Sequence, residues 1–179
     1  CSGADNNGFN SASTNLTVDV LSGASVSVGN GLGAIGLSSG NTITNDGSIA
    51  DGALGSGILA NANNMIINNG SIIAGANGFS IQTIGTGNTV INNGTLDGIL
   101  SLAGANNSIT NWGLITITNA GTPVGASHVV GGDYIQMSWA TLASRVNTAS
   151  ADTLSVSGTA TLNGTLRITV QPGLYGNST

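Results

Sequence analysis

One short pattern recurs along this chain at fixed offsets, and it limits the folds open to it. Residues 41–52 (NTITNDGSIADG), 63–75 (NNMIINNGSIIAG) and 88–98 (NTVINNGTLDG) align on a Gly two residues after an Asn, and NWGLI (111–115) adds a fourth copy. The aligned glycines are Gly47, Gly70, Gly94 and Gly113, at intervals of 23, 24 and 19 residues. Four residues before each stands a branched apolar residue (Ile43, Ile66, Val90, Ile109), and two after each another apolar one (Ile49, Ile72, Leu96, Ile115). The Asn two before the Gly is invariant across the copies: Asn45, Asn68, Asn92 and Asn111. A looser copy at 16–28 places Gly23 a further 24 residues upstream, with Val18 and Val26 each one position further out. Between copies a short strand-like piece returns, as GAIGL (33–37), SGIL (56–59) and FSIQ (79–82).

A period of this length with several short strands and no helical stretch is the signature of a solenoid, whose units bury their apolar side only by stacking on neighbours. A parallel β-helix satisfies it. Residues at equal repeat positions then lie above one another, about 4.8 Å apart, and the apolar positions become continuous inward columns. The Asn column is expected at a bend, with its amides bonding from coil to coil. The Gly is expected to supply positive φ there. Hairpins closed by Asn-Gly would not need Asn at one offset four times. About eight coils of 19–24 residues follow, in an all-β chain.

Composition supports this. Lys and Glu are absent, only Arg145 and Arg167 are cationic, and charged residues make up 5%, so most strong helix formers are missing. A net charge of −5 with two cations argues against nucleic acid, since a run of phosphates would go unneutralised. No apolar run approaches the roughly 20 residues of a spanning helix. Cys1 forms no internal disulfide, and Cys1-Ser2-Gly3 reads as a chain start rather than an acylated lipoprotein terminus. The stretch CSGADNNGFN is the candidate N-terminal cap.

From about Gly132 the texture changes. Tyr134 and Gln136 precede a run in which Leu154, Val156, Ala160, Leu162, Leu166, Ile168 and Val170 alternate with polar residues, as in strands with one buried face. The spacing Tyr134-x-Gln136, then Asp152, Leu154, Val156, Gly158, Ala160, Leu162, Gly164 and Leu166, resembles the C-terminal part of bacterial autotransporter (type Va secretion) passenger domains. The coil repeats upstream also resemble the low-complexity repeats of such passengers. The resemblance implies a right-handed parallel β-helix at the outer surface of a Gram-negative bacterium. It implies β-helix passenger coils over 1–131 and an autochaperone-like segment over 132–179, within one continuous structural domain. The family's translocator β-barrel does not follow Thr179 in this sequence, so membrane attachment would run only through a barrel this chain lacks.

For chemistry, Asp46, Asp51 and Asp97 fall at −1, +4 and +3 from their glycines, so no close carboxylate pair follows, and all three read as solvated surface residues. His128 is the sole His and reads as a surface loop residue. No cofactor and no metal are expected. Outward positions three before the Gly read Thr44, Ile67, Ile91, Thr110, and one after it Ser48, Ser71, Thr95, Leu114. Ile67 and Ile91, with Trp112 along the bend, form the candidate partner strip. The functional expectation is a non-enzymatic surface passenger acting in adhesion, self-association or biofilm formation. Its partners would be a host-cell surface, glycan or matrix, or like chains on neighbouring bacteria. A polysaccharide-acting β-helix enzyme and an inert surface scaffold or lipoprotein are the alternatives.

Overall fold

The computed structural model describes residues 1–29 and 33–172. The described residues form no helix, so none is long and apolar enough to cross a membrane. All their named strand pairings are parallel, and they build a β-solenoid of about seven turns. Each coil lays one strand into each of three ladders. The first ladder runs Ala4–Asp5, Ser25–Ser27, Ser48–Ala50, Ser71–Ile73, Thr95–Asp97, Leu114–Thr116, Thr141–Val146, Thr165–Val170. The second runs Phe9–Ser11, Gly33–Leu37, Ser56–Ala60, Phe79–Thr83 and on through the N-terminal parts of Ile99–Asn111 and Ser127–Gln136 to Thr153–Val156. The third runs Thr17–Val20, Thr42–Asn45, Met65–Asn68, Thr89–Asn92 and the C-terminal parts of the same two long strands to Ala160–Leu162.

The register gives coil lengths directly. Ala4, Ser25, Ser48, Ser71, Thr95, Leu114, Thr141 and Thr165 pair in series, in steps of 21, 23, 23, 24, 19, 27 and 24 residues. The count is therefore about seven turns rather than eight, and one coil exceeds the expected range. That coil carries an excursion before Ser127, which Arg145 and Asp152 tie down. Arg145 donates to the carbonyls of Thr122 and Pro123, and Asp152 accepts from the backbone N–H groups of Gly125 and Ala126. The boundary expected at 131/132 falls inside the strand Ser127–Gln136.

The repeat pattern lands where stacking requires. Ile43, Ile66, Val90 and Ile109 are register partners, as are Ile49, Ile72, Leu96 and Ile115, and all are fully buried. The shifted residues of the loose copy fall into line, Val18 on Ile43 and Val26 on Ile49. Burying each such side chain contributes about 1.5–3 kcal/mol, and no coil can do so alone.

The expected role of the glycines needs correction. Gly47, Gly70, Gly94 and Gly113 are not among the residues with positive φ. They are required by close approach. A Cβ on Gly70 would fall inside contact distance of the Gly47 carbonyl oxygen, and the same holds for Gly94 over Gly70 and Gly113 over Gly94. Backbone stacks on backbone at this bend, leaving no room for a side chain.

The C-terminal alternation also differs from expectation. Thr153–Val156, Ala160–Leu162 and Thr165–Val170 are strands in register with the coil before. Leu162, Leu166, Ile168 and Val170 nonetheless stay 52–65% exposed. These strands form the last described coil, so their inward residues have a neighbour on one side only. At the opposite end Asp5 occupies the inward column above Val26 and accepts from the Asn7 N–H.

Candidate functional site

The Asn column is a fully buried amide ladder. Asn45 donates to Asn68, Asn68 to Asn92 and Asn92 to Asn111, each Nδ2 to Oδ1 at 2.8 Å. Each donor amide also reaches a carbonyl of the first ladder: Ser71, Thr95 and Leu114. The amide therefore ties one coil to the next and two ladders together where an apolar side chain would leave those carbonyls dry. Gln136 continues the column, giving its amide to Asn163 and Thr165 carbonyls and accepting the Tyr134 hydroxyl at 2.8 Å. Burial pushes the Tyr134 phenol up to about 12, so it remains a donor.

A second ladder escaped the sequence reading. Asn41, Asn64, Asn88 and Asn107, six before each aligned Gly, are buried, and their Oδ1 atoms accept the backbone N–H of Leu16, Asn41, Asn64 and Asn88 at 2.8–2.9 Å. They close the bend that enters the third ladder, as the first column closes the bend that leaves it. The same alignment on Gly would have found them.

The candidate partner strip is outward but flatter than expected. Ile67 and Ile91 are register partners and half-buried by neighbouring β-branched side chains. The column continues as Asp19, Thr44, Ile67, Ile91, Thr110, Ile135, Thr161, with Met65 exposed beside Ile67. Trp112 does not lie on this face. It sits on the bend beyond, in a column with the exposed residues Asp46, Asn69 and Asn93. Asn69 donates to Asp46 and Asn93 to Asn69, each at 2.7 Å. On the other side of the bend Ser48, Ser71 and Thr95 form an outward hydroxyl column, Ser71 donating to Ser48 at 3.2 Å.

Two titratable residues lie elsewhere than expected. His128 is not a surface loop residue but an inward member of the column Ile35, Ile58, Ile81, Leu100, with Leu154 beyond it. Its Nδ1 accepts the Leu100 N–H at 3.0 Å, so the neutral ring carries its proton on Nε2, which has no partner among the described residues. Desolvation lowers its pKa to about 4. The ring borders a cleft of about 670 Å³ at the last coil, lined also by Gln136, Leu142, Asp152, Leu154 and Leu166.

Asp51 is likewise buried rather than solvated. Neither carboxylate oxygen has a well-formed hydrogen bond among the described residues, and burial raises its pKa to about 6 against the weaker opposing pull of the Gly52 N–H. Asp46 is exposed as expected, and Asp97 is half-buried and engaged by the Thr118 N–H and hydroxyl. Burial would raise the Asp152 pKa, but hydrogen bonds from Arg145 and Gly125 hold it below the ordinary carboxylate range. Its bond to Arg145 Nε measures 2.7 Å. Among the described residues no group of three His, Cys, Asp or Glu side chains is placed to hold a metal.

No family model, curated protein or solved structure matches this chain.

Proposed function

We propose that this chain is a surface-displayed passenger of the autotransporter kind, acting through its faces in adhesion or self-association rather than in catalysis. The observation that carries this reading is the regular outward texture of the bend and its two flanking ladders. Hydroxyl, amide and aliphatic groups repeat there once per coil, on backbone fixed by buried ladders beneath, which is the pre-organised surface that contact without chemistry needs. The ionisable groups support it too: Asp46 and Asp97 are engaged by Asn69 and Thr118, Asp51 points inward, and Arg145 is held by Asp152. The Tyr134–Gln136 pair, stacked between Asn111 and the last described coil, supports reading residues 132–179 as a templating segment of such a passenger.

The test is display. Residues 1–179 are placed ahead of a generic translocator on non-adherent bacteria, and settling and attachment to host cells are scored against a translocator-only strain. Clumping or attachment is the expected result. Confirmed surface exposure with neither phenotype would overturn the reading.

A further inference from the structure

The bend between the third and first ladders carries the two Trp residues of the chain, and neither contributes to the core. Successive bends stack through the backbone: Asn69 N–H to Asn45 O, Asn93 N–H to Asn68 O, Trp112 N–H to Asn92 O and Met137 N–H to Asn111 O, at 2.7–2.9 Å. The next bend is the turn Met137–Ala140, closed by Ala140 N–H to Met137 O at 3.0 Å, with Trp139 at its third position. Trp112 and Trp139 thus occupy the same corner on consecutive coils. They are 43% and 85% exposed, and neither indole N–H has a partner among the described residues. Below them the corner continues as Asn93, Asn69 and Asp46, fixed by the side-chain bonds already described.

Resting on the surface-contact reading above, we propose that this corner is a binding track for a neutral polysaccharide lying along the solenoid axis. An exposed indole presents a flat, electron-rich face, to which the C–H faces of a sugar ring are attracted. One coil advances about 4.8 Å, close to the length of one sugar residue in an extended chain, so successive rings meet successive bends. Trp112 and Trp139 supply two stacking platforms. Asn93 Oδ1 and Asp46 Oδ2, left over from the amide bonds, accept sugar hydroxyls, and the Ser48, Ser71 and Thr95 column offers hydroxyls along one flank. Charge selects the class. Asp46 lies in the track, and the net charge is −5, so a uronate or sulfated chain is repelled.

Because the chain contains only these two Trp residues, emission excited at the red edge, where its two Tyr do not absorb, reports on the track alone. Purified protein is titrated with cellohexaose, maltohexaose and chitohexaose, and with polygalacturonate as the anionic comparison. At least one neutral hexasaccharide is expected to shift or quench the emission. W112A and W139A are each expected to weaken retention in affinity electrophoresis roughly tenfold, while W112F and W139F recover most of it. Both sites are exposed, so unchanged circular dichroism is expected in all four variants. No emission change with any neutral hexasaccharide, retention unaffected by the alanine variants, or tighter binding of polygalacturonate would each overturn the proposal. Display of the unsubstituted chain beside the W112A/W139A double variant separates the two readings. Settling of the unsubstituted chain with no neutral hexasaccharide bound removes the track and keeps the surface passenger, whereas Trp-dependent binding without any display phenotype does the reverse.

Discussion

Replacing Asn68 by Ala isolates the buried amide ladder from everything around it. Asn68 receives one hydrogen bond, from Asn45, and gives two, to Asn92 Oδ1 and the Thr95 carbonyl. A buried neutral hydrogen bond contributes about 1 kcal/mol net, and an acceptor left dry costs about 1–3 kcal/mol. The Asn45 amide keeps the Ser71 carbonyl as a partner, but Asn92 Oδ1 loses its donor. Adding a small void at a fully buried position, the expected loss is about 3–5 kcal/mol. Asn69, one residue on, makes two similar side-chain bonds on the exposed bend, where water replaces them. Asn69→Ala should cost about 0.5 kcal/mol. Urea unfolding followed by circular dichroism measures both, the midpoint shift being read at unchanged slope. Equal losses for the two variants, or an Asn68→Ala loss below about 1 kcal/mol, would refute the role given to the ladder.

Three further outcomes follow from the same structure. Gly70→Ala should be strongly destabilising, by more than about 3 kcal/mol, because the Cβ meets the Gly47 carbonyl backbone, whereas Gly23→Ala meets open space and costs only the left-handed strain of about 1–2 kcal/mol; thermal unfolding distinguishes them. Asp51 and His128 should act oppositely on stability between about pH 4 and 6.5. The raised Asp51 pKa means that the folded state binds more protons there, so its contribution is lost as pH rises; the lowered His128 pKa means that the unfolded state binds more, so its contribution is lost as pH falls. Asp51→Asn should therefore leave stability rising with pH across that window and His128→Gln should leave it falling, as read by urea midpoints at pH 4, 5 and 6.5. Asp152→Ala should cost about 3–5 kcal/mol, since it strands Arg145 and frees the backbone N–H groups of Gly125 and Ala126; proteolysis within residues 117–126 should then precede global unfolding.

The repeat was legible in the sequence because solenoid stacking ties side-chain direction to position. Ile66 and Ile72 could be assigned inward, and Ile67 outward, from offsets to Gly70 alone. The role of Gly70 itself was not legible, because positive φ and close backbone approach select the same residue. His128 was misplaced because its coil carries the excursion before Ser127 and has no aligned Gly to set its frame. The alternation back from Tyr134 through Gly132 and Val130 to His128 was the available signal, and the Gly pair 131–132 obscured it. Asp51 sits just past a strand end, where two-residue alternation stops and the turn of the chain decides which way a side chain points. The Trp corner needed the structure, since Trp112 and Trp139 stand at different offsets and only the stacked bends bring them together.

In-register stacking underlies the ladders, the faces and the Trp corner alike, and spin-label distances test it most directly. In a Cys1→Ser background, one label replaces Asp19 and the second replaces Ile91, Thr110, Ile135 or Thr161, all members of one outward column. These positions lie three, four, five and six coils from Asp19 along that register, so pulsed electron resonance should give distances growing linearly by about 4.8 Å per coil, to roughly 29 Å at Thr161. Distances that fail to increase in that order, or that fold back toward Asp19, would contradict a parallel solenoid and every site built on it.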